Sequence, residues 1–348
     1  MEIKYYLLTG VFILTSILNC KAQTSQFYKN EYFISSTDNV RLQVKEIYHK
    51  NKLNKHYAPL LMIHGGGPGA ITSFDLDTEV RLSFAEELAK KGLHIFLLNI
   101  RGWEKSTLPE YDLSDTSLVT GSVEEANEDI QSALNWLTAK LKIKKVNLFG
   151  WATGGHWISY AAIQDPSRIK SIICLNSMYG VKGDWNIRQY FQSPRDTTKY
   201  NKTAHFRISD KKSLTTSWTN SIPIDDKSKW RNPVIAEALE NQACAYGADP
   251  NVLKVPGGYR EESFYMSLGK QYWNAKNLRV PTMVIRSKYD FWSREIDFNS
   301  YREDFPKTIS SKFVTINGTH YVFLDNNEKG RRKLIKLINH FIVNSREK

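Results

Sequence analysis

Residues 146–155 read Val-Asn-Leu-Phe-Gly-Trp-Ala-Thr-Gly-Gly, and no other part of the sequence is as informative about the fold. Its apolar first half predicts a short buried strand, and the residues after it predict a helix that Pro166 ends. The turn between them is bounded by Gly150 and Gly154, which indicates a tight turn, because glycines let the backbone approach its neighbours closely. The sequence therefore predicts a strand, a strained turn and a helix, with Ala152 at the centre of the turn.

Short apolar strands alternate with helical patterns on both sides of this turn. The predicted strands cover residues 60–63, 93–100, 145–149, 169–175, 280–286 and 312–316, and an antiparallel hairpin over 31–36 and 40–48 precedes them. The predicted helices cover 74–90, 122–142, 153–164, 233–246, 294–305 and 328–344. Alternation of this kind is typical of βαβ units. We therefore expect an α/β fold with a mostly parallel central sheet and helices on both faces.

The alternation stops between residues 178 and 278, a segment rich in Trp, Tyr, Asn and Lys. Its scattered helical patterns predict a helical lid insertion, which divides the core into 23–177 and 279–348. Residues 1–22 combine an early lysine with an apolar run, and this order predicts an export signal and a periplasmic or secreted protein. A lipoprotein pattern ending at Cys20 stays open, and membrane contact is predicted only if that cysteine carries a lipid.

The composition allows a large buried core, because 41% of the 348 residues are hydrophobic. The formal net charge is +12, but the basic residues are spread along the chain without a nucleic-acid motif, so we predict no nucleic-acid partner. The histidines lack metal-ligand spacing, and the glycine-rich run lacks the Lys-Ser/Thr of a phosphate loop. We predict no metal, no cofactor and a small-molecule substrate or ligand, and the oligomeric state stays open.

The central turn has the spacing of a known catalytic motif. Gly150, Ala152 and Gly154 resemble the Gly-x-Ser-x-Gly nucleophile elbow of the α/β-hydrolase superfamily, with alanine in the serine position. The resemblance implies the α/β-hydrolase fold and a serine-hydrolase site built around position 152.

A second motif is the run His64-Gly65-Gly66-Gly67-Pro68-Gly69, which resembles the prolyl-iminopeptidase-like branch of that superfamily. The resemblance implies that this loop supplies an oxyanion-hole amide from Gly66 or Gly67, with the amide of Thr153 as the second donor. His64 is interpreted as a residue that steadies the loop. Asn99 stands where the branch usually has an aspartate before Arg-Gly.

Two loops after strands late in the sequence contain the acid and the histidine that the family resemblance implies. Asp290 ends the run Ser287-Lys288-Tyr289-Asp290, which resembles the family's acid motif, and His320 ends Asn317-Gly318-Thr319-His320, which resembles its catalytic histidine loop. The chain order of nucleophile position, acid and histidine agrees with the family. Asp297 is a nearby rival for the acid.

Aromatic residues are abundant around these motifs. Trp103, Trp151 and Tyr179 are candidates for the lining of an apolar substrate pocket. The lid also contains four carboxylates that could hold a free amino terminus, as in the peptidase relatives, namely Glu237, Glu240, Glu261 and Glu262. Because none of these acids stands in a motif, a small ester, lactone or amide is the simpler substrate.

Alanine at position 152 has a chemical consequence. A methyl group has no lone pair and cannot attack a carbonyl, so Ala152 predicts an inactive or severely impaired hydrolase. Three hypotheses stay open: a serine hydrolase whose nucleophile was replaced, a non-hydrolytic small-molecule binding protein, and an enzyme that uses Asp290 and His320 as a general base.

Overall fold

The computed structural model describes residues 26–108, 120–202 and 205–344. The predicted export signal at 1–22, which includes Cys20, lies outside these residues. Across the described ranges, no helix is long and apolar enough to cross a membrane.

The elements follow one another in alternating order. The strands are β1 (Phe27–Ser35), β2 (Arg41–His49), β3 (Leu60–Ile63), β4 (Ile95–Leu98), β5 (Val146–Trp151), β6 (Ile169–Leu175), β7 (Phe206–Asp210), β8 (Val252–Pro256), β9 (Thr282–Tyr289) and β10 (Ser311–Thr319). The helices are α1 (Ala70–Phe74), α2 (Phe84–Ala89), α3 (Val123–Leu141), α4 (Thr153–Gln164), α5 (Thr216–Ser221), α6 (Pro233–Cys244), α7 (Gly258–Ser267), α8 (Glu295–Asp304) and α9 (Arg331–Asn344).

Within the described ranges, eight strands form one sheet in the order β1-β2-β4-β3-β5-β6-β9-β10. Strand β2 is antiparallel to both of its neighbours, and the six strands from β4 to β10 in this order are parallel to one another. The prediction of a mostly parallel sheet after an initial hairpin is therefore confirmed. Parallel strands carry their functional loops at their carboxyl ends, which places the ends of β3, β5, β9 and β10 along one edge.

Apolar side chains cover both faces of the sheet, because successive residues of a strand point to opposite sides. One buried cluster packs α3, α4 and α8 against the sheet, and it includes Ile130, Trp157 and Phe298. A second cluster on the other face packs α1, α2 and α9 against the same strands, and it includes Phe74 and Ile338. The helices on both faces that the sequence predicts are thus confirmed.

The predicted helix over 74–90 is wrong in its first half, because residues 75–83 form a loop. Two short helices, α1 and α2, are separated by a loop because Asp75 ends the first and Ser83 begins the second. The Asp75 carboxylate accepts a hydrogen bond from the Ser83 hydroxyl at 2.7 Å and pairs with Lys45 at 2.7 Å. Ser83 also forms a reciprocal capping box with Glu86, which starts a new helix at this point.

The lid segment, defined as residues 178–278, contains strands as well as the helices that the sequence predicts. It contains α5, α6 and α7, but also the antiparallel pair β7 and β8, in which Phe206 lies opposite Pro256 and Asp210 opposite Val252. The two strands are distant in the sequence, because α5 and α6 come between them. The β7–β8 pair brings the end of β8, and with it the start of α7, to the edge of the sheet where the loops of the core end.

Candidate active site

The turn after β5 has the strained backbone that the sequence predicts. Ala152 has φ 51° and ψ −113°, and its N–H donates to the carbonyl oxygen of Leu175 at 2.7 Å. A β-carbon at Gly154 would lie 2.4 Å from the carbonyl oxygen of His64, and one at Gly150 would lie 2.2 Å from the carbonyl oxygen of Gly154. Only glycine fits these two positions, so the turn holds position 152 in a fixed orientation.

The loops after β9 and β10 bring an acid and a histidine together. The Nδ1 atom of His320 lies 2.6 Å from Oδ1 of Asp290. That carboxylate also accepts hydrogen bonds from the backbone N–H groups of Trp292, at 2.9 Å, and Ser293, at 3.1 Å, and from the Ser293 hydroxyl. The carboxylate is buried and His320 is 5% exposed, so water competes little for their contact. This geometry orients the imidazole as a proton acceptor.

The rival acid has a different partner. Asp297 pairs with Arg294 at 2.7 Å and accepts hydrogen bonds from the backbone N–H groups of Tyr179 and Gly180. Its contacts hold the beginning of the lid segment against α8. The structure therefore places Asp290, and not Asp297, beside His320.

The glycine-rich loop after β3 is held from behind by His64. Nε2 of His64 accepts a hydrogen bond from the Ile100 N–H at 3.1 Å, so Nδ1 carries the proton and donates to the Gly65 carbonyl at 2.6 Å. Burial lowers the pKa of His64 to about 4, which keeps the ring neutral at neutral pH. The histidine fixes the loop from the side opposite the cavity.

A cavity of about 260 Å³ lies where these loops meet the lid segment. Its lining includes the elbow residues Ala152 and Thr153, the loop residues Gly66 and Gly67, and His320. The hydroxyl of Thr153 is buried and has no hydrogen-bond partner among the described residues. The predicted nucleophile position, oxyanion residues and histidine therefore share one cavity, with Asp290 directly behind the histidine.

The comparison with known families agrees with this geometry. A family model described as the alpha/beta hydrolase fold matches residues 58–327, which is most of the chain. The chain belongs to the alpha/beta hydrolase fold family. The match begins before β3 and ends after the His320 loop, so it contains every part of the candidate site.

The curated proteins that match this chain resemble only part of it. Over 132 residues the chain is 29% identical to a 2-hydroxy-6-oxononadienedioate/2-hydroxy-6-oxononatrienedioate hydrolase of Dechloromonas aromatica and 26% identical to one of Pseudomonas putida. Each match covers 38% of this chain, with 40% of the first relative and 41% of the second. The matched region is thus less than half the length of these curated relatives.

Solved structures resemble the whole chain at low sequence identity. A serine hydrolase of Cycloclasticus zankles has a TM-score of 0.61 and 14% identity, over 92% of this chain and all of that one. Naproxen esterase of Bacillus subtilis has a TM-score of 0.53 and 12% identity, over 89% of this chain and 92% of that one. At this level of identity the likeness shows the fold alone.

Of the three predicted pocket aromatics, only Trp151 lines the cavity. Trp103 is fully buried behind the glycine loop, where its indole N–H donates to the Gly67 carbonyl at 2.8 Å. Tyr179 lies beside α8, stacked on Tyr301, and its hydroxyl donates to Asp304 at 2.8 Å. The prediction that Trp103 and Tyr179 line the pocket is therefore wrong, because both side chains pack inside the hydrolase core.

Asn99 also has a defined place in this hydrolase fold. Its side-chain oxygen accepts a hydrogen bond from the Ala70 N–H at 2.6 Å, and its amide donates to Gln43 at 2.9 Å and Glu104 at 2.8 Å. These bonds fix the start of α1, directly after the glycine loop. An amide can donate as well as accept, which suits Asn99 to a place between a backbone N–H and a carboxylate.

The cavity lining also includes residues of the lid segment that were not predicted from the sequence, among them two arginines and a tyrosine. Arg207 lies on β7, and Tyr259 and Arg260 lie on the first turn of α7. A β-carbon at Gly66 would lie 2.1 Å from the Tyr259 ring, so the absence of a side chain at Gly66 is what admits this tyrosine. No motif distinguishes these residues from the many other basic and aromatic residues of the lid segment.

Helix α7 of the lid segment is anchored to the core by a buried polar contact. Glu262 on α7 accepts a hydrogen bond from the Val123 N–H at 2.5 Å, and its other oxygen lies 3.4 Å from Nε2 of His156 on α4. The Nδ1 atom of His156 accepts a hydrogen bond from Trp273 at 2.9 Å. Burial raises the pKa of Glu262. This contact holds α7, and with it Tyr259, against the helix that follows the elbow.

Proposed function

We propose that this chain is the scaffold of a serine hydrolase for a small ester, lactone or amide, with turnover severely limited by alanine at position 152. The observation that carries the proposal is the 2.6 Å contact between Asp290 and His320, made at the cavity that also holds Ala152 and the glycine loop. The relatives named above are hydrolases by name, which supports the reaction class.

Each part of the site has a defined task in such a reaction. A serine hydroxyl at position 152 would lose its proton to His320 as it attacks the substrate carbonyl, and Asp290 would stabilise the resulting imidazolium. Backbone amides of the glycine loop and of Thr153 would receive the negative charge on the carbonyl oxygen. With a methyl group at position 152, nucleophilic attack by this residue is lost, and binding with the oxyanion amides would give about 10³- to 10⁴-fold acceleration over water.

The test is to restore the hydroxyl with Ala152→Ser. We expect the variant to hydrolyse short p-nitrophenyl esters and to react with a fluorophosphonate probe, in which the serine oxygen bonds to phosphorus and fluoride leaves. The unchanged chain should do neither at a comparable rate. The double variant Ala152→Ser/His320→Ala is the matched control, because it carries the hydroxyl without its base and should lose the gain. No turnover and no labelling in a folded Ala152→Ser protein would refute the proposal.

An aminopeptidase substrate, as the prolyl-iminopeptidase-like branch would use, receives less support. A free amino terminus needs a carboxylate in the cavity, and the four candidate lid acids lie elsewhere. Glu240 accepts a hydrogen bond from Thr215, Glu261 pairs with Lys202, Glu262 binds the Val123 N–H, and Glu237 is exposed. We therefore favour an ester, lactone or amide without a free amino group.

A second candidate function uses the chain as it stands. The Asp290–His320 pair needs no nucleophile to remove an acidic proton from a bound substrate, and its intact geometry beside Ala152 favours this general-base reaction. Proton exchange of a β-keto ester in D₂O, followed by NMR, tests it. Faster exchange with the unchanged chain than with His320→Ala would support general-base catalysis, and equal rates would exclude it.

A further inference from the structure

Two arginines of the lid segment meet at one phenol in the cavity. Nη1 of Arg207 lies 3.4 Å from the Tyr259 hydroxyl, and Nε of Arg260 lies 3.2 Å from the same oxygen. Arg207 also donates to the carbonyl oxygen of Gly66 at 3.3 Å and to the Ser209 hydroxyl at 2.9 Å. These bonds fix the Arg207 guanidinium directly beside the glycine loop.

In the part of the chain that the structure describes, neither arginine pairs with a carboxylate. Among the described residues, no acid lies within ion-pair distance of Arg207 or Arg260, and no Asp or Glu lines the cavity. By contrast, the fully buried Arg101 pairs with Asp129 at 2.7 Å. Glu261, the neighbour of Arg260 in the sequence, turns away to Lys202 at 3.5 Å.

Asp290, the acid beside His320, forms no ion pair with either arginine in the described structure. Both of its carboxylate oxygens are already engaged, one by His320 and the Trp292 N–H and the other by Ser293. Removing charged groups from water without a counterion is unfavourable. Two cavity arginines that have no carboxylate partner among the described residues therefore indicate a site for an anion.

The surroundings hold the arginines in place for a ligand. Arg260 lies over the ring of Phe191, 5.1 Å from its centroid, which limits its motion. A β-carbon at Gly67 would lie 3.4 Å from Nη1 of Arg207, so this guanidinium is in contact distance of the glycine loop. Burial raises the pKa of Tyr259, but the two arginines outweigh burial and bring that pKa below 10. The charge of the two guanidinium groups therefore acts on the phenol oxygen.

We propose that Arg207, Arg260 and the Tyr259 hydroxyl form a binding subsite for a carboxylate group of the substrate. Guanidinium groups bind carboxylates through paired hydrogen bonds, and the phenol can donate a third. A cavity of about 260 Å³ accommodates a small molecule. The substrate class is therefore a short ester, lactone or amide that also carries a carboxylate. Only the position of its reacting carbonyl, at the elbow, rests on the proposed function.

Calorimetry on the unchanged full chain tests the subsite without any turnover. We expect phenylacetate to bind at least tenfold more tightly than its neutral analogue phenylacetamide, and its affinity to fall as salt rises. Arg207→Gln and Arg260→Gln should each weaken phenylacetate binding by tenfold or more, whereas Arg207→Lys should retain part of it. Arg195→Gln is the matched control, because Arg195 is an exposed lid arginine away from the cavity and its loss should leave binding unchanged.

Equal affinity for phenylacetate and phenylacetamide, or a loss in Arg195→Gln equal to that in Arg207→Gln, would overturn the subsite. Inorganic phosphate that competes with phenylacetate more strongly than acetate does would also overturn the assignment to a carboxylate. The outcome is separable from the proposed function. If Ala152→Ser gains no activity while phenylacetate binding still depends on Arg207, the subsite stands and the hydrolase proposal fails.

Discussion

His320 and Asp290 lie 2.6 Å apart because the residues before them, Thr319 and Tyr289, are paired in neighbouring parallel strands. The ladder between β9 and β10 contains one extra residue in β10, between Ile316 and Thr319. This bulge sets the level at which the histidine leaves the sheet. The register of the two strands thus brings the acid and the histidine together, whereas the nucleophile position of the same site holds Ala152.

The first prediction concerns this pair. In the Ala152→Ser background, Asp290→Asn should lower kcat by about 10⁴-fold, because an amide at this position no longer holds the imidazole in the proton-accepting tautomer. Steady-state hydrolysis of a p-nitrophenyl ester measures the effect. Glu295→Gln, which removes an exposed carboxylate nearby, should leave kcat unchanged. Similar kcat values for Asp290→Asn and its parent would show that the pair has no part in the reaction.

The second prediction concerns the close packing of the elbow. Gly154→Ala should lower the free energy of unfolding by about 1–3 kcal/mol, because its β-carbon would lie 2.4 Å from the His64 carbonyl oxygen. Gly247→Ala is the matched control, since the nearest atom to its β-carbon lies at an ordinary 3.5 Å. Urea denaturation measures both variants. Equal stability of the two would contradict the tight packing of the turn.

Much of the core was predictable from the sequence, for a physical reason. Parallel strands buried on both faces appear as short apolar runs, and the turn after β5 has two glycines at positions where any β-carbon would collide. The hairpin, the mostly parallel sheet and the helices on both faces are confirmed. The chain order of the motifs also predicted that Asp290 and His320 follow late strands.

The lid segment was less predictable, because its structure depends on contacts that are distant in sequence. Strand β7 includes the exposed Ile208, so its pattern does not indicate a buried strand, and its partner β8 lies far along the chain. The same limit applies to aromatic residues. Trp103 and Trp151 are both apolar and close to motifs, and only the tertiary structure shows that Trp151 lines the cavity and Trp103 does not.

The third prediction is a pH dependence that originates at His64. Burial lowers its pKa to about 4, against 6.5 when unfolded, so the unfolded chain binds the extra proton first as the pH falls. The free energy of unfolding should therefore decrease by about 3 kcal/mol between pH 6.5 and pH 4 through this residue. His64→Gln should remove that part of the slope. Parallel stability curves for the two proteins over this range would contradict the assignment.

The fourth prediction concerns Asp325, which anchors the His320 loop. Its carboxylate accepts hydrogen bonds from the Thr319 N–H, the Thr319 hydroxyl and the Trp218 indole, each at 2.8 Å. Burial raises the pKa of Asp325 to about 6, although these bonds and Arg81 oppose the rise. Because the folded chain then holds this proton more tightly than the unfolded chain, the resulting stabilisation is present below pH 3.8 and is lost as the pH rises through 6.

In the unchanged chain, the free energy of unfolding should fall by about 3 kcal/mol through Asp325 as the pH rises from 4 to 6. Asp325→Asn should not show this fall. The sign is opposite to that of His64, so the two contributions largely cancel in the unchanged chain and separate only in the variants. Relative to the unchanged chain, His64→Gln should gain stability as the pH falls from 6 to 4, and Asp325→Asn should lose it. Urea denaturation at several pH values measures both differences, and differences of the same sign would contradict at least one of the two assignments.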